Sequence, residues 1–146
     1  MSFLEMKHEK GMKFDEKMDL VRELLLLIEA QEYDSQELKL PPFIDEKVAK
    51  YHLTLLEQAG YLKVSRFAVG DNMTWLFSSL TWDGQEFLAA IKNDTVWNRV
   101  KQSVKEKGGS IPFEVLKSLA TKMSATYFLS QISSKRVHNF NVLVLK

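Results

Sequence analysis

The hydrophobic rhythm of this chain changes from helical to alternating and back to helical between residues 45 and 91. Apolar side chains recur at Ile44, Val48, Tyr51, His52, Leu55, Leu56 and Ala59, which is one face at helical spacing. Asp45 stands where an N-cap belongs and Gly60 where a helix stops. Residues 61–67 and 74–80 then alternate apolar with polar and are rich in β-branched and aromatic types, while Gly70-Asp71-Asn72 between them suits a reversing turn. Thr81 follows as the N-cap of another helix through Trp82-Asp83-Gly84-Gln85-Glu86, with acidic Asp83 and Glu86 in its first turn and Phe87, Leu88 and Ile91 turned inward. A helix, a glycine stop, a two-stranded hairpin and a capped helix make the order of a winged helix.

The flanks extend this picture. Residues 1–13 read as a polar leader of mixed charge. Asp15 or Asp19 caps a first helix to about Ala30, with Met18, Val21, Leu24, Leu25 and Ile28 on one face and Leu20, Leu26 and Leu27 widening the apolar surface. Leu38 and Leu40 alternate with polar neighbours over 35–40, a short strand that Pro41-Pro42 ends. Asn93 or Asp94 starts a helix carrying Val96, Trp97, Val100 and Val104 inward, which Gly108-Gly109 ends. Ser110 and Pro112 mark the next start, with Val115, Leu116, Leu119, Met123 and Tyr127 on one side. After Ser130 a polar linker leads to 140–145, which has strand propensity and no turn partner nearby. The expectation is an α+β protein: a flexible leader at 1–13, a winged-helix-like core at 14–92, a C-terminal helical hairpin packed on it at 93–129, and a basic tail with a candidate strand at 130–146.

Charge changes the picture more than composition does. The 146 residues carry a formal net charge of only +1, yet residues 1–91 hold 10 Lys and Arg against 16 Asp and Glu, and residues 92–146 hold 10 against 3. An acidic body with a basic C-terminal part would repel a phosphate backbone with the first and attract it with the second. There is no cysteine, so disulfides and thiolate metal sites are excluded, as suits a cytoplasmic protein. The longest apolar run, at 24–28, is far short of the roughly 20 residues of a membrane span, and the first residues lack a signal peptide's pattern.

Met12-Lys13 through Met18-Asp19-Leu20, the run Tyr51-His52-Leu53-Thr54-Leu55-Leu56-Glu57-Gln58-Ala59-Gly60, Leu80-Thr81-Trp82-Asp83-Gly84 with Glu86-Phe87-Leu88, Asp94-Thr95-Val96-Trp97, and Lys107-Gly108-Gly109-Ser110-Ile111-Pro112-Phe113-Glu114-Val115-Leu116 together resemble an uncharacterised family of bacterial and phage or prophage proteins, a domain of unknown function. The resemblance covers roughly residues 12–123. It implies a winged-helix-like fold and a mobile-element setting, and it carries no activity or functional residues.

Two binding functions from different classes fit these residues. For nucleic acid, the candidates by charge are Arg99, Lys101, Lys105, Lys107, Lys117, Lys122, Lys135 and Arg136, followed by Lys47, Lys50, Thr54, Lys63 and Arg66 on the helix and hairpin. The second set is the weaker, because Glu46 and Glu57 interleave with it, Asp71 marks the wing tip, and 33–43 leaves no room for a bracing helix. For a protein partner or a homodimer, the candidates are Leu20 and Leu27 together with Phe67, Trp75 and Phe77, expected on the hairpin face opposite Leu62, Val64, Leu76 and Leu80. Catalysis has little to stand on: His8, His52 and His138 share no metal-ligand spacing, His52 reads as a hydrogen-bonded residue at the core's edge, and Asp83-Gly84 reads as part of a cap. The expected role is therefore non-catalytic, without cofactor, metal or small-molecule substrate: a nucleic-acid-associated regulatory or accessory protein of phage or mobile-element origin, or alternatively a protein-interaction adaptor or homodimer.

Overall fold

The computed structural model describes residues 12–31 and 38–145, with side chains described for all of these except 67–69, 72–78 and 133–145. The chain divides into two compact units, one ending at Leu88 and the other starting at Ala89. The fold is α+β. Its elements in order are α1 (Phe14–Glu29), α2 (Glu46–Gln58), β1 (Leu62–Val69), β2 (Asn72–Leu80), α3 (Trp82–Ile91), α4 (Asp94–Glu106) and α5 (Phe113–Leu145).

In the first unit α1 buries Val21, Leu24, Leu25 and Ile28 and lies against α2 and β2. Its start is set by Lys13, not by Asp15 or Asp19: the Glu16 carboxylate reaches back to the Lys13 N–H at 3.4 Å, and Asp15 and Glu16 occupy the first turn, where the dipole favours them. The capping expected of Asp45 is present, its carboxylate accepting from the N–H groups of Lys47 and Val48 at 2.9 and 3.1 Å. The buried face of α2 is rotated from the expected one. Val48, Ala49, His52, Leu53 and Leu56 are inside, whereas Leu55 is 44 % exposed. Residues at 44, 48, 51, 52, 55, 56 and 59 and at 48, 49, 52, 53 and 56 both satisfy a helical period, and the neighbouring elements select the second set.

At the end of α2 the N–H of Gly60 donates to Glu57 O and that of Tyr61 to Leu56 O, a Schellman closure in which Gly60 takes φ 87. The hairpin pairs Leu62 with Leu80 and Val69 with Asn72 around Gly70 and Asp71. Lys63 pairs with Ser79 but Val64 with Phe77, so Ser78 is an extra residue, a bulge that shifts the register of β2 by one. Trp75 and Phe77 therefore sit at the register positions of Arg66 and Val64, and Leu76 at that of Ser65. Phe67 is at the register position of Thr74, and the side chains of Phe67, Trp75 and Phe77, expected together on one face, lie outside the described residues.

Thr81 ties three elements together. Its N–H donates to Tyr61 O at 3.0 Å, its hydroxyl donates to Gly60 O at 2.5 Å, and the same hydroxyl accepts from the N–H of Gly84 at 3.1 Å, which caps α3. The first turn of α3 is thereby held so close to the hairpin base that a Cβ on Gly84 would lie 2.2 Å from Tyr61 O.

In the second unit Asn93 caps α4 by accepting from the Val96 N–H at 3.1 Å, and Val96, Trp97, Val100 and Val104 are buried as the spacing predicts. The N–H of Gly109 donates to Val104 O and closes the helix. Helix α5 packs along α4 through Leu116 and Ala120, with Leu119, Met123 and Tyr127 half-buried beside them. Val115, expected on that side, is 50 % exposed.

Neither of two further expected strands is found among the described residues. Residues 38–40 belong to no strand, and the rest of that expectation, at 35–37, lies outside the described residues. The expected tail strand at 140–145 is instead the last part of α5, which runs from Phe113 to Leu145 with no break at 130. An isolated strand leaves its backbone unpaired, whereas a helix satisfies each N–H within its own chain, and 113–145 contains neither glycine nor proline to stop it.

Candidate functional site

The outer surface of α2 and the base of the hairpin hold the second set of nucleic-acid candidates. Lys50 Nζ lies 2.9 Å from the Glu46 carboxylate one turn earlier. Both guanidinium nitrogens of Arg66 donate to the Glu57 carboxylate, a two-pronged pair joining β1 to the end of α2. Thr54 uses its hydroxyl on Lys50 O at 2.8 Å. Lys47 and Lys63 are exposed. Lys50 and Arg66 are thus matched from within, which lowers the positive potential this face offers to phosphate.

His52 is 3 % exposed and its Nδ1–H donates to Val48 O at 2.9 Å, with the Tyr51 ring edge-on at 5.4 Å. That bond holds it to its own helix, consistent with a packing residue at the edge of the core. The Asp83-Gly84 turn is likewise occupied in capping. Among the described residues no group of three or more His, Cys, Asp or Glu is arranged to hold a metal ion.

The second unit gathers most of the first set. Asn98, Arg99, Gln102 and Lys105 are exposed along one side of α4, opposite the buried valines, and Lys107 follows at its end. The Arg99 guanidinium lies over the Tyr127 ring at 5.8 Å, and Lys101 Nζ over the Trp97 ring at 5.8 Å. The first contact joins α4 to α5 and the second lies within α4; each holds a cationic group against an aromatic ring. Lys122 is exposed on α5, Lys117 is half-buried, and the side chains of Lys135 and Arg136 lie outside the described residues.

Of the protein-interface candidates, Leu20 and Leu27 are half-buried on α1, and the side chains of Phe67, Trp75 and Phe77 lie outside the described residues. Leu20 lines a groove of about 440 Å³ with Met12, Phe43, Ile44 and Val48 on its apolar side and Asp19, Glu23 and Asp45 as its polar members. Phe43, which closes one edge of that groove, is 79 % exposed, and Trp82, the first residue of α3, is 78 % exposed. Neither was among the candidates read from the sequence. Trp82 was detectable in principle: with Gly84, Phe87, Leu88 and Ile91 setting the inward side of α3, residue 82 falls off that side. Phe43 had no such signal, since a residue after two prolines has no periodicity to orient it.

A model of a protein family described as "Hypothetical protein (DUF2513)" matches residues 15–110 of this chain. An uncharacterized protein of Haemophilus influenzae (strain ATCC 51907 / DSM 11121 / KW20 / Rd) is 34% identical over 104 residues, covering 70% of this chain and 88% of that protein. No solved structure matches.

Proposed function

Because the chain belongs to the family described as "Hypothetical protein (DUF2513)", a description that assigns no activity, we propose its function from its surfaces: a non-catalytic binding protein that engages nucleic-acid phosphates through the exposed side of α4 and the residues after it. The observation that carries this reading is the row of Asn98, Arg99 and Lys105 leading into Lys107, interrupted only by Glu106, which accepts from the Gln102 side-chain amide at 3.1 Å, on a unit whose sequence is strongly basic. Arg and Lys supply charge to phosphate, and Asn can bond both phosphate and base edges. The helix–hairpin–helix order of the first unit is winged-helix-like, and in this reading it acts as a scaffold, since Lys50 and Arg66 are already paired with carboxylates. A cytoplasmic regulatory or accessory role, in the phage or mobile-element setting that the family resemblance implies, completes the proposal. No described helix is long and apolar enough to cross a membrane.

The test is binding to random duplex DNA followed through a salt series. Three to four phosphate contacts predict a slope of roughly −3 in log affinity against log salt. Reversing Arg99, Lys105 and Lys107 to glutamate should abolish binding, while Lys47→Glu and Lys63→Glu leave it nearly intact. No binding at low salt, or the opposite ranking of the two variant sets, refutes the reading. A second reading, a protein-interaction module, is favoured by the exposure of Phe43 and Trp82, because a large aromatic side chain in water is a ready anchor for a partner.

A further inference from the structure

Helix α5 changes the side on which it is apolar. Over its first half the apolar positions Leu116, Ala120, Met123 and Tyr127 follow one stripe, which packs on α4. One turn beyond Tyr127 that stripe ends in Ser130 and Gln131, both exposed. The apolar side chains that follow are Phe128, Leu129 and Ile132, exposed by 47, 62 and 51 %, and with Ala125 they form a contiguous three-and-four-spaced patch on the outward side. The sequence continues this spacing through Arg136, Phe140 and Leu143. Helix α4 is 13 residues long and α5 33, about 20 Å against about 50 Å, so α4 can cover less than half of α5. The outward patch needs a different partner.

Charge selects that partner. From Val115 to the C-terminus there is no acidic residue, only Lys117, Lys122, Lys135, Arg136 and Lys146, so two copies of α5 laid together would repel. The groove of the first unit offers the complement: an apolar floor of Leu20, Phe43, Ile44 and Val48, with carboxylates at Asp19 and Glu23 and no basic residue among those lining it. We propose that the chain forms a homodimer in which the outward patch of α5 from one copy, centred on Leu129 and Ile132, seats in the acid-edged groove beside Phe43 of the other. Reciprocal exchange makes the two contacts equivalent and closes the assembly under two-fold symmetry. The inference is independent of nucleic-acid binding, and its readout contains no nucleic acid.

The experiment is the mass of the full chain by light scattering across a concentration series, at low and high salt, for the wild type and for Phe43→Asn and Leu129→Asn, which remove apolar surface without changing charge. Both substituted side chains are largely exposed, and circular dichroism confirms that each variant is folded. The wild type should be dimeric, with a dissociation constant that rises with salt, and each variant should weaken the dimer about tenfold or more. Mixing the two variants should restore part of the association, because one contact of the mixed pair joins an intact α5 to an intact groove. A monomeric wild type overturns the proposal. So does a dimer that neither variant weakens, or one that Leu129→Asn disrupts and Phe43→Asn does not, which would mean that α5 pairs with α5.

Discussion

Gly84→Ala should unfold this protein more easily, although helix propensity alone says the reverse. Gly84 lies in the first turn of α3, where alanine would ordinarily gain about 1 kcal/mol over glycine. Here the added Cβ meets the carbonyl oxygen of Tyr61 at 2.2 Å, its carbonyl carbon at 3.1 Å and the Leu80 Cβ at 3.3 Å. The first two belong to backbone that is itself held: Tyr61 N–H donates to Leu56 O, and Tyr61 O accepts from Thr81. Relief requires α3 to move away from the hairpin base, which costs about 3 kcal/mol at the upper end of overpacking. The same movement draws the Gly84 N–H away from the Thr81 hydroxyl and removes a cap of about 1 kcal/mol. Set against the propensity gain, the net loss is about 3 kcal/mol, or about 6–12 °C in Tm for a chain of this size. Urea and thermal unfolding followed by circular dichroism measure it, with Thr81→Ala expected to lose about 1–2 kcal/mol and Thr81→Ser close to neutral. A Gly84→Ala midpoint equal to or above wild type would refute the close approach of α3 to Tyr61.

Gly60→Ala isolates a different mechanism. Nothing lies within 4 Å of the added Cβ, so the left-handed φ of 87 alone sets the cost, about 1–2 kcal/mol in the same unfolding assay. Asp45→Ala should lose about 1 kcal/mol and Asp45→Asn much less, since the amide oxygen can still accept from the start of α2. A double-mutant cycle on Arg66 and Glu57 should give a coupling of about 1 kcal/mol or less, as both side chains are only partly shielded from water, 33 and 25 % exposed.

The caps at Asp45, Thr81 and Asn93, the closures at Gly60 and Gly109, and the valine face of α4 could all be read from residue order. Each is completed by hydrogen bonds or side-chain spacings confined to one or two turns, so the residues that decide them are neighbours in sequence. The first set of charged candidates was legible for the same reason: a count of Lys and Arg needs no fold. The partners of the charged candidates in either set were not. That Arg66 is bound to Glu57 nine residues earlier, or that Arg99 lies over Tyr127, depends on which elements meet.

The sequence by itself determined where each helix begins and ends between 45 and 109, that a hairpin lies between two of them, and that positive charge collects after residue 91. These follow from propensity, capping and composition, which act over a few residues. Tertiary structure decided which of two helical stripes on α2 is inside, how an extra residue at Ser78 re-phases the hairpin, why residue 84 has no room for a side chain, and that 140–145 continues a helix. In each of those cases the local signal allowed two answers, and the choice fell to what packs opposite or, for the tail, to a helix that satisfies its own backbone without a partner.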